Sequence, residues 1–119
     1  RTSFTFCPFR EVTMDSFRSL GKFEGWGRDP HTGRQLPDIM MFGNGDATNC
    51  PQFKPRKCAV RMICTANYTI LDVVEPSTCS FEMKFGSPLG CTEAVLVAEE
   101  ARLASEADND HGKLRSAWT

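Results

Sequence analysis

Residues 79–85, CSFEMKF, alternate without a break: Cys79, Phe81, Met83 and Phe85 fall on one side, and Ser80, Glu82 and Lys84 on the other. A period of two over that length predicts a strand with one face in the core. KCAVRMICT, residues 57–65, repeats the pattern, with Cys58, Val60, Met62 and Cys64 set against Ala59, Arg61, Ile63 and Thr65. TSFTFCPF begins with Phe4 and Phe6 on one face and is interrupted by Pro8, so this strand ends or bulges at the Cys7-Pro8 pair, with REVTM continuing it. Shorter strands are expected in GKFEGWG, in DIMMFG ahead of an Asn/Gly/Asp turn, and in ILDVVE. RDPHTGRQLP, with two prolines and a glycine, predicts a loop, and ANYT and GSPLG predict turns. After Cys91, AVLV is expected as a last strand and AEEARLASEA as a helix of weak amphipathicity, followed by the polar tail DNDHGKLRSAWT. The pattern is that of one all-β domain over residues 1–97 with a helical and polar extension over 98–119.

Composition narrows this further. With 119 residues there is room for one domain, and 40% hydrophobic residues suffice for a core. Fourteen basic and 15 acidic residues give a net charge of -1, which offers no attraction for nucleic acid or an anionic membrane surface. No apolar run reaches the length of a membrane span, so no membrane insertion is expected. RTSFTFCPFR lacks the charged, apolar and small-residue succession of a signal peptide; either one was removed or the chain begins inside a longer protein. The six cysteines, at 7, 50, 58, 64, 79 and 91, contain no C-x-x-C pair. An even number of spread cysteines in a short chain predicts disulfides rather than a metal site. The sequon Asn67-Tyr68-Thr69 agrees with a lumenal or extracellular setting.

Catalytic chemistry is hard to find. There is no G-x-S-x-G, no H-E-x-x-H and no phosphate-cradling glycine loop, and the carboxylates are scattered. GNGD, residues 43–46, follows a strand rather than opening a helix and is expected to be a turn. His31 beside Pro30 is expected to be a solvated loop residue. No metal or cofactor is implied, and the chain is not expected to be an enzyme.

One set of short motifs recurs in order: FCPFREVT, SLG…GW, GNGDATNC, PRKCAVRMIC, VVEPSTCSFEM and SPLGC. In this combination the chain resembles the mannose 6-phosphate receptor homology (MRH) domain over residues 4–97, and is similar to the versions in the glucosidase II β-subunit and the GlcNAc-1-phosphotransferase γ-subunit. The resemblance implies a flattened β-barrel of two antiparallel sheets, with interleaved disulfides Cys50–Cys79 and Cys64–Cys91. Each such bridge stabilises by about 2–4 kcal/mol through the unfolded chain. In the family, the cysteine of CPF bonds one upstream of it, and the position of Cys58 is usually Ser or Thr. Two alternatives follow: Cys7 bonds Cys58, or Cys7 has lost its partner to a missing N-terminal segment and Cys58 is free.

The resemblance also implies a mannose pocket of four side chains, Gln, Arg, Glu and Tyr, a set of donors and acceptors suited to vicinal hydroxyls. Its Arg falls on Arg56 and its Glu on Glu75, but its Gln position holds Met14 and its Tyr position holds Phe81. A Trp of the glucosidase II version is replaced by Pro51, beside which Gln52 is a possible substitute donor. On residue grounds alone Phe81 and Met14 are core fillers, and Arg56 with Glu75 an ion pair. Two functions are therefore expected in competition. One is a lectin-like accessory domain that recognises mannose of high-mannose N-glycans for a catalytic subunit of the glucosidase II kind, in the endoplasmic reticulum or Golgi lumen or outside the cell. The other is a module that keeps the fold for structure or protein binding and has lost the sugar.

Overall fold

The computed structural model describes residues 2–108. Seven strands form one sheet in the order β1-β2-β3-β4-β5-β7-β6: β1 (Phe4–Cys7), β2 (Glu11–Met14), β3 (Arg18–Arg28), β4 (Gln35–Gly43), β5 (Lys57–Cys64), β6 (Thr69–Ser77) and β7 (Ser80–Ser87). The two layers implied by the resemblance are thus joined continuously by hydrogen bonds. All neighbours are antiparallel except β5 and β7, which run parallel from Lys57↔Ser80 to Cys64↔Ser87. The reason is topological. β6 and β7 form a hairpin, and β7 rather than β6 lies against β5, so the strand that returns runs in the direction of β5.

The sheet curls almost into a barrel. Phe6 of β1 and Phe85 of β7, far apart in strand order, meet edge to face with ring centroids 4.5 Å apart. The alternation seen in the sequence supplies the interior: Phe81, Met83 and Phe85 of β7 and Cys58, Val60 and Met62 of β5 are buried, together with Met40 and Phe42 of β4, Leu20 of β3 and Val12 of β2. Side chains of this kind contribute about 1.5–3 kcal/mol each when fully buried. Gly21 takes φ +148°, and a Cβ there would lie 2.6 Å from the Phe42 backbone, so only glycine lets β3 approach β4 this closely.

Two segments differ from the sequence expectation. REVTM does not continue the first strand but returns as β2, because the chain reverses in a turn closed by the Arg10 N–H donating to the Cys7 carbonyl at 3.0 Å. Pro8 fits the second place of that turn, and Phe9 takes the positive φ of 63° that the third requires. AVLV is helical rather than extended: α1 spans Glu93–Asp108 and so begins inside the expected β region. The Thr92 hydroxyl accepts the Val95 N–H at 3.3 Å, an N-cap that overrides the β-propensity of the two valines. The helix packs on β4 and β5, with Val95 buried and Arg102 hydrogen-bonded to the buried Asp38. The polar tail lies outside the described residues from 109 onward.

Candidate functional site

Cys79 is the hub of the region that EPSTC encodes. β6 loses register with β7 between Val74 and Ser77, a bulge that contains Glu75 and Pro76. The hairpin then turns through Thr78 and Cys79, with Cys79 in the left-handed region at φ 68°. A Glu75 carboxylate oxygen accepts the Cys79 N–H at 2.8 Å, the Cys79 carbonyl accepts the Lys57 N–H at 3.1 Å, and the sulfur is bonded to Cys50. The glutamate thus ties down the turn that carries the disulfide, while its side chain stays at the surface.

Arg56, next to Lys57, is 8% exposed. Its Nη1 donates to the carbonyls of Asp46 and Thr48, both at 2.8 Å, and its Nε is buried without a hydrogen-bond partner. The guanidinium therefore clamps the loop 44–49, and among the described residues no ion pair joins it to Glu75. The same loop is held from the other side. Gly45 lies so close to β3 that a Cβ would meet the Leu20 backbone at 2.7 Å, and Arg18 pairs with Asp46 at 3.2 Å. The Asp46 carboxyl is held below its ordinary value, chiefly by hydrogen bonds from the Thr48 backbone and side chain and also by the charges of Arg18 and Arg56.

Met14, on β2 opposite Arg18, packs half-buried against the core, and Phe81, opposite Cys58, is part of it. A chain of contacts thus runs from Met14 through Arg18, Asp46 and Arg56 to the strand end beside Cys79 and Glu75. The fold brings the polar pair to one end of β5 and β7, sinks Phe81 into the interior and packs Met14, half-buried, against it.

A cavity of about 430 Å³ opens at the Cys50–Cys79 bridge, between the segment 51–57 and the hairpin 77–80, with Lys54, Lys57, Ser77, Thr78 and Ser80 on its walls. The sequence does not single out these side chains, because lysines and hydroxyls carry no periodic signal and the two segments, distant in the chain, meet only through the Cys50–Cys79 bridge and the pairing of Lys57 with Cys79 and Ser80. Pro51 lines this cavity and Gln52 does not; Gln52 is exposed in a tight turn at φ 56°. A second hollow of about 610 Å³ adjoins it, sharing Lys57, Ser77 and Ser80.

The second disulfide joins Cys64 to Cys91. Of the two alternatives for the remaining cysteines, the bond Cys7–Cys58 is absent: Cys7 is an exposed thiol and Cys58 a buried one. They lie on β1 and β5, and Cys58 sits in the interior under Phe81 and Phe42, its strand partners. Burial, with a smaller contribution from the Glu82 charge, pushes its thiol up to about 12. Asn67 is exposed in the connection between β5 and β6, and His31 is an exposed loop residue whose N–H is accepted by Asp29. Among the described residues there is no group of three potential metal ligands and no helix long and apolar enough to cross a membrane.

A curled sheet with two bridges at these positions is the MRH fold. The chain superimposes on the MRH domain of glucosidase II beta in a crystal structure bound to mannose with a TM-score of 0.61 and 23% identity, over 76% of this chain and 84% of that one. It also superimposes on a solution structure of the W409A point mutant of the GBII-beta MRH domain, with a TM-score of 0.55 and 20% identity, over 77% and 94% of the two chains. The profile of the glucosidase II beta subunit-like protein family matches residues 13–114, and the chain belongs to that family. It is 29% identical over 92 residues to the glucosidase 2 subunit beta of Bos taurus, a match that spans 73% of this chain and 16% of that protein.

Proposed function

We propose that this domain is a non-catalytic, lectin-like module that recognises mannose on N-linked glycans and serves a glycan-processing enzyme of the glucosidase II kind. The observation that carries this reading is the retention of Arg56 and Glu75 at one end of the barrel, flanking Cys79, in a chain of this family. Arg56 keeps one buried guanidinium N–H without a partner, and Glu75 keeps carboxylate lone pairs facing water. A polyhydroxyl ligand matches the exposed carboxylate, since each of its hydroxyls donates as well as accepts, while the enclosed arginine holds the loop 44–49 in place. Two disulfides and the exposed sequon at Asn67 support a lumenal or extracellular location. The partner that this role implies is a separate catalytic subunit.

The competing reading, a barrel kept for shape or protein binding, is favoured by Met14 and Phe81, which supply packing where the family's pocket has hydrogen-bonding groups. Each missing bond removes about 0.5–1.5 kcal/mol. Calorimetric titration with a high-mannose oligosaccharide separates the two. A lectin binds, and Glu75→Gln lowers its affinity at least about tenfold, a loss of ~1.4 kcal/mol, with near-UV circular dichroism unchanged. A folded native protein that takes up no oligosaccharide leaves the shape-only reading.

A further inference from the structure

The larger hollow, about 610 Å³, falls within the usual size of ligand clefts. It runs from the hairpin 77–80 across β7 and β5 to β4 and the end of β3. Its far wall holds Trp26, Leu36 and Met41, and its rim holds Arg28, Lys57 and Glu82. Lys57, Ser77 and Ser80 also belong to the cavity at the Cys50–Cys79 bridge, so the two hollows adjoin along a shared wall. Trp26 is half-buried. Phe9 and Phe23 meet it edge to face, with centroids 5.9 and 6.5 Å away, and fix the plane of the indole.

We propose that this groove is a second sugar subsite in which Trp26 is the stacking platform, so that the domain binds an extended neutral oligosaccharide rather than a terminal residue alone. The proposal rests on the lectin reading above and adds to it the length of the ligand. A pyranose ring presents an apolar C–H face and a polar rim, and the groove offers the complement: an oriented indole for the face, with cations, a carboxylate and hydroxyls for the rim. Charges of both signs line the groove, which suits a neutral ligand with mixed donors and acceptors better than an anionic or cationic one. Trp26 lies on β3, whereas Pro51 lies at the Cys50–Cys79 bridge, so the indole defines a subsite distinct from the Pro51 position.

The test compares two sugars on the whole chain with its disulfides intact: methyl α-mannoside and a high-mannose oligosaccharide, each titrated calorimetrically. The oligosaccharide is expected to bind about tenfold more tightly. Trp26→Ala is expected to remove that advantage while leaving the monosaccharide within about twofold, and Trp26→Phe to restore part of it. Arg28→Ala, at the exposed far rim, gives the same selective loss should Trp26→Ala unfold the domain. Equal affinities for the two sugars, with Trp26→Phe and Arg28→Ala both silent, overturn the subsite and leave the lectin reading standing. A folded native chain that binds neither sugar overturns both.

Discussion

Glu75 accepts the backbone N–H of Cys79, four residues on, and that one bond accounts for the glutamate, the proline and the cysteine of EPSTC. A cysteine in the left-handed region is strained by about 1–3 kcal/mol. The disulfide to Cys50 and the carboxylate bond hold it there, and Pro76 lies in the bulge that aims Glu75 back at the turn. The two thiols outside the bridges have opposite environments, and their chemistry follows. Cys7 is exposed at the end of β1, whereas Cys58 is 1% exposed, with its thiol raised from 9.0 to about 12. Alkylation of the native protein by iodoacetamide at neutral pH is therefore expected to modify Cys7 alone, with Cys58 modified only after unfolding in denaturant; peptide mass spectrometry reads the site. The folded state holds the Cys58 proton more tightly than the unfolded chain does. Its contribution to stability is therefore complete below pH 9, falls as pH rises toward 12, and is absent above that. Cys58→Ser should show a shallower alkaline limb in a stability–pH profile. Rapid alkylation of Cys58 in the native state would mean that β5 opens far more readily than its packing implies.

At the level of elements, the strands with a clear period were legible and those set by a neighbour were not. β5 and β7 alternate so cleanly because one face of each fills the barrel, and Phe81 was correctly expected on that face. AVLV has the composition of a strand, but the Thr92 cap and the surface of β4 decide for helix. Of the candidate site, Arg56 and Glu75 could be found through their motifs, whereas the clamp of Arg56 on the loop 44–49 and the lysine-lined cavity depend on contacts between distant segments. The pairing of α1 with β4 was equally invisible, since Asp38 and Arg102 are 64 residues apart. Asp38 is 1% exposed, and its other oxygen has no hydrogen-bond partner among the described residues, so the helix cation is what offsets its buried charge. Arg102→Ala is expected to destabilise the fold by about 3 kcal/mol. Asp38→Leu combined with Arg102→Leu is expected to recover most of that loss, because an apolar pair carries no desolvation penalty. Urea unfolding measures both. If Arg102→Ala shifts the midpoint no more than an exposed helix substitution does, the ion pair is not what holds α1 in place.

For the whole molecule, the sheet curls without closing, and β1 and β6 remain as its two edges. β1 is only four residues long, but β6 runs for nine residues with Leu71 and Val74 exposed at 48% and 43%. A strand of that length and character recruits other strands unless its edge is disrupted. β6 carries three disruptions: register shifts between Ile70 and Asp72 and between Val74 and Ser77, the charges of Asp72 and Glu75, and Pro76, which has no N–H to offer. Glu75 thus has a second use at this scale, since it protects the edge as well as holding the turn. Asn67, just ahead of β6, is placed so that a glycan attached there would shield the start of the same edge. The double substitution Asp72→Val, Pro76→Val removes one charge and the proline while leaving Arg56, Glu75 and both disulfides in place. It is expected to make the unglycosylated chain associate with rising concentration, seen as growth of the light-scattering mass, while the native sequence shows less growth over the same range. Thioflavin fluorescence increasing in parallel would identify the contact as strand pairing. An unchanged scattering mass would show that the two register shifts and the Glu75 charge suffice to keep β6 from pairing, and that Asp72 and Pro76 are free to vary.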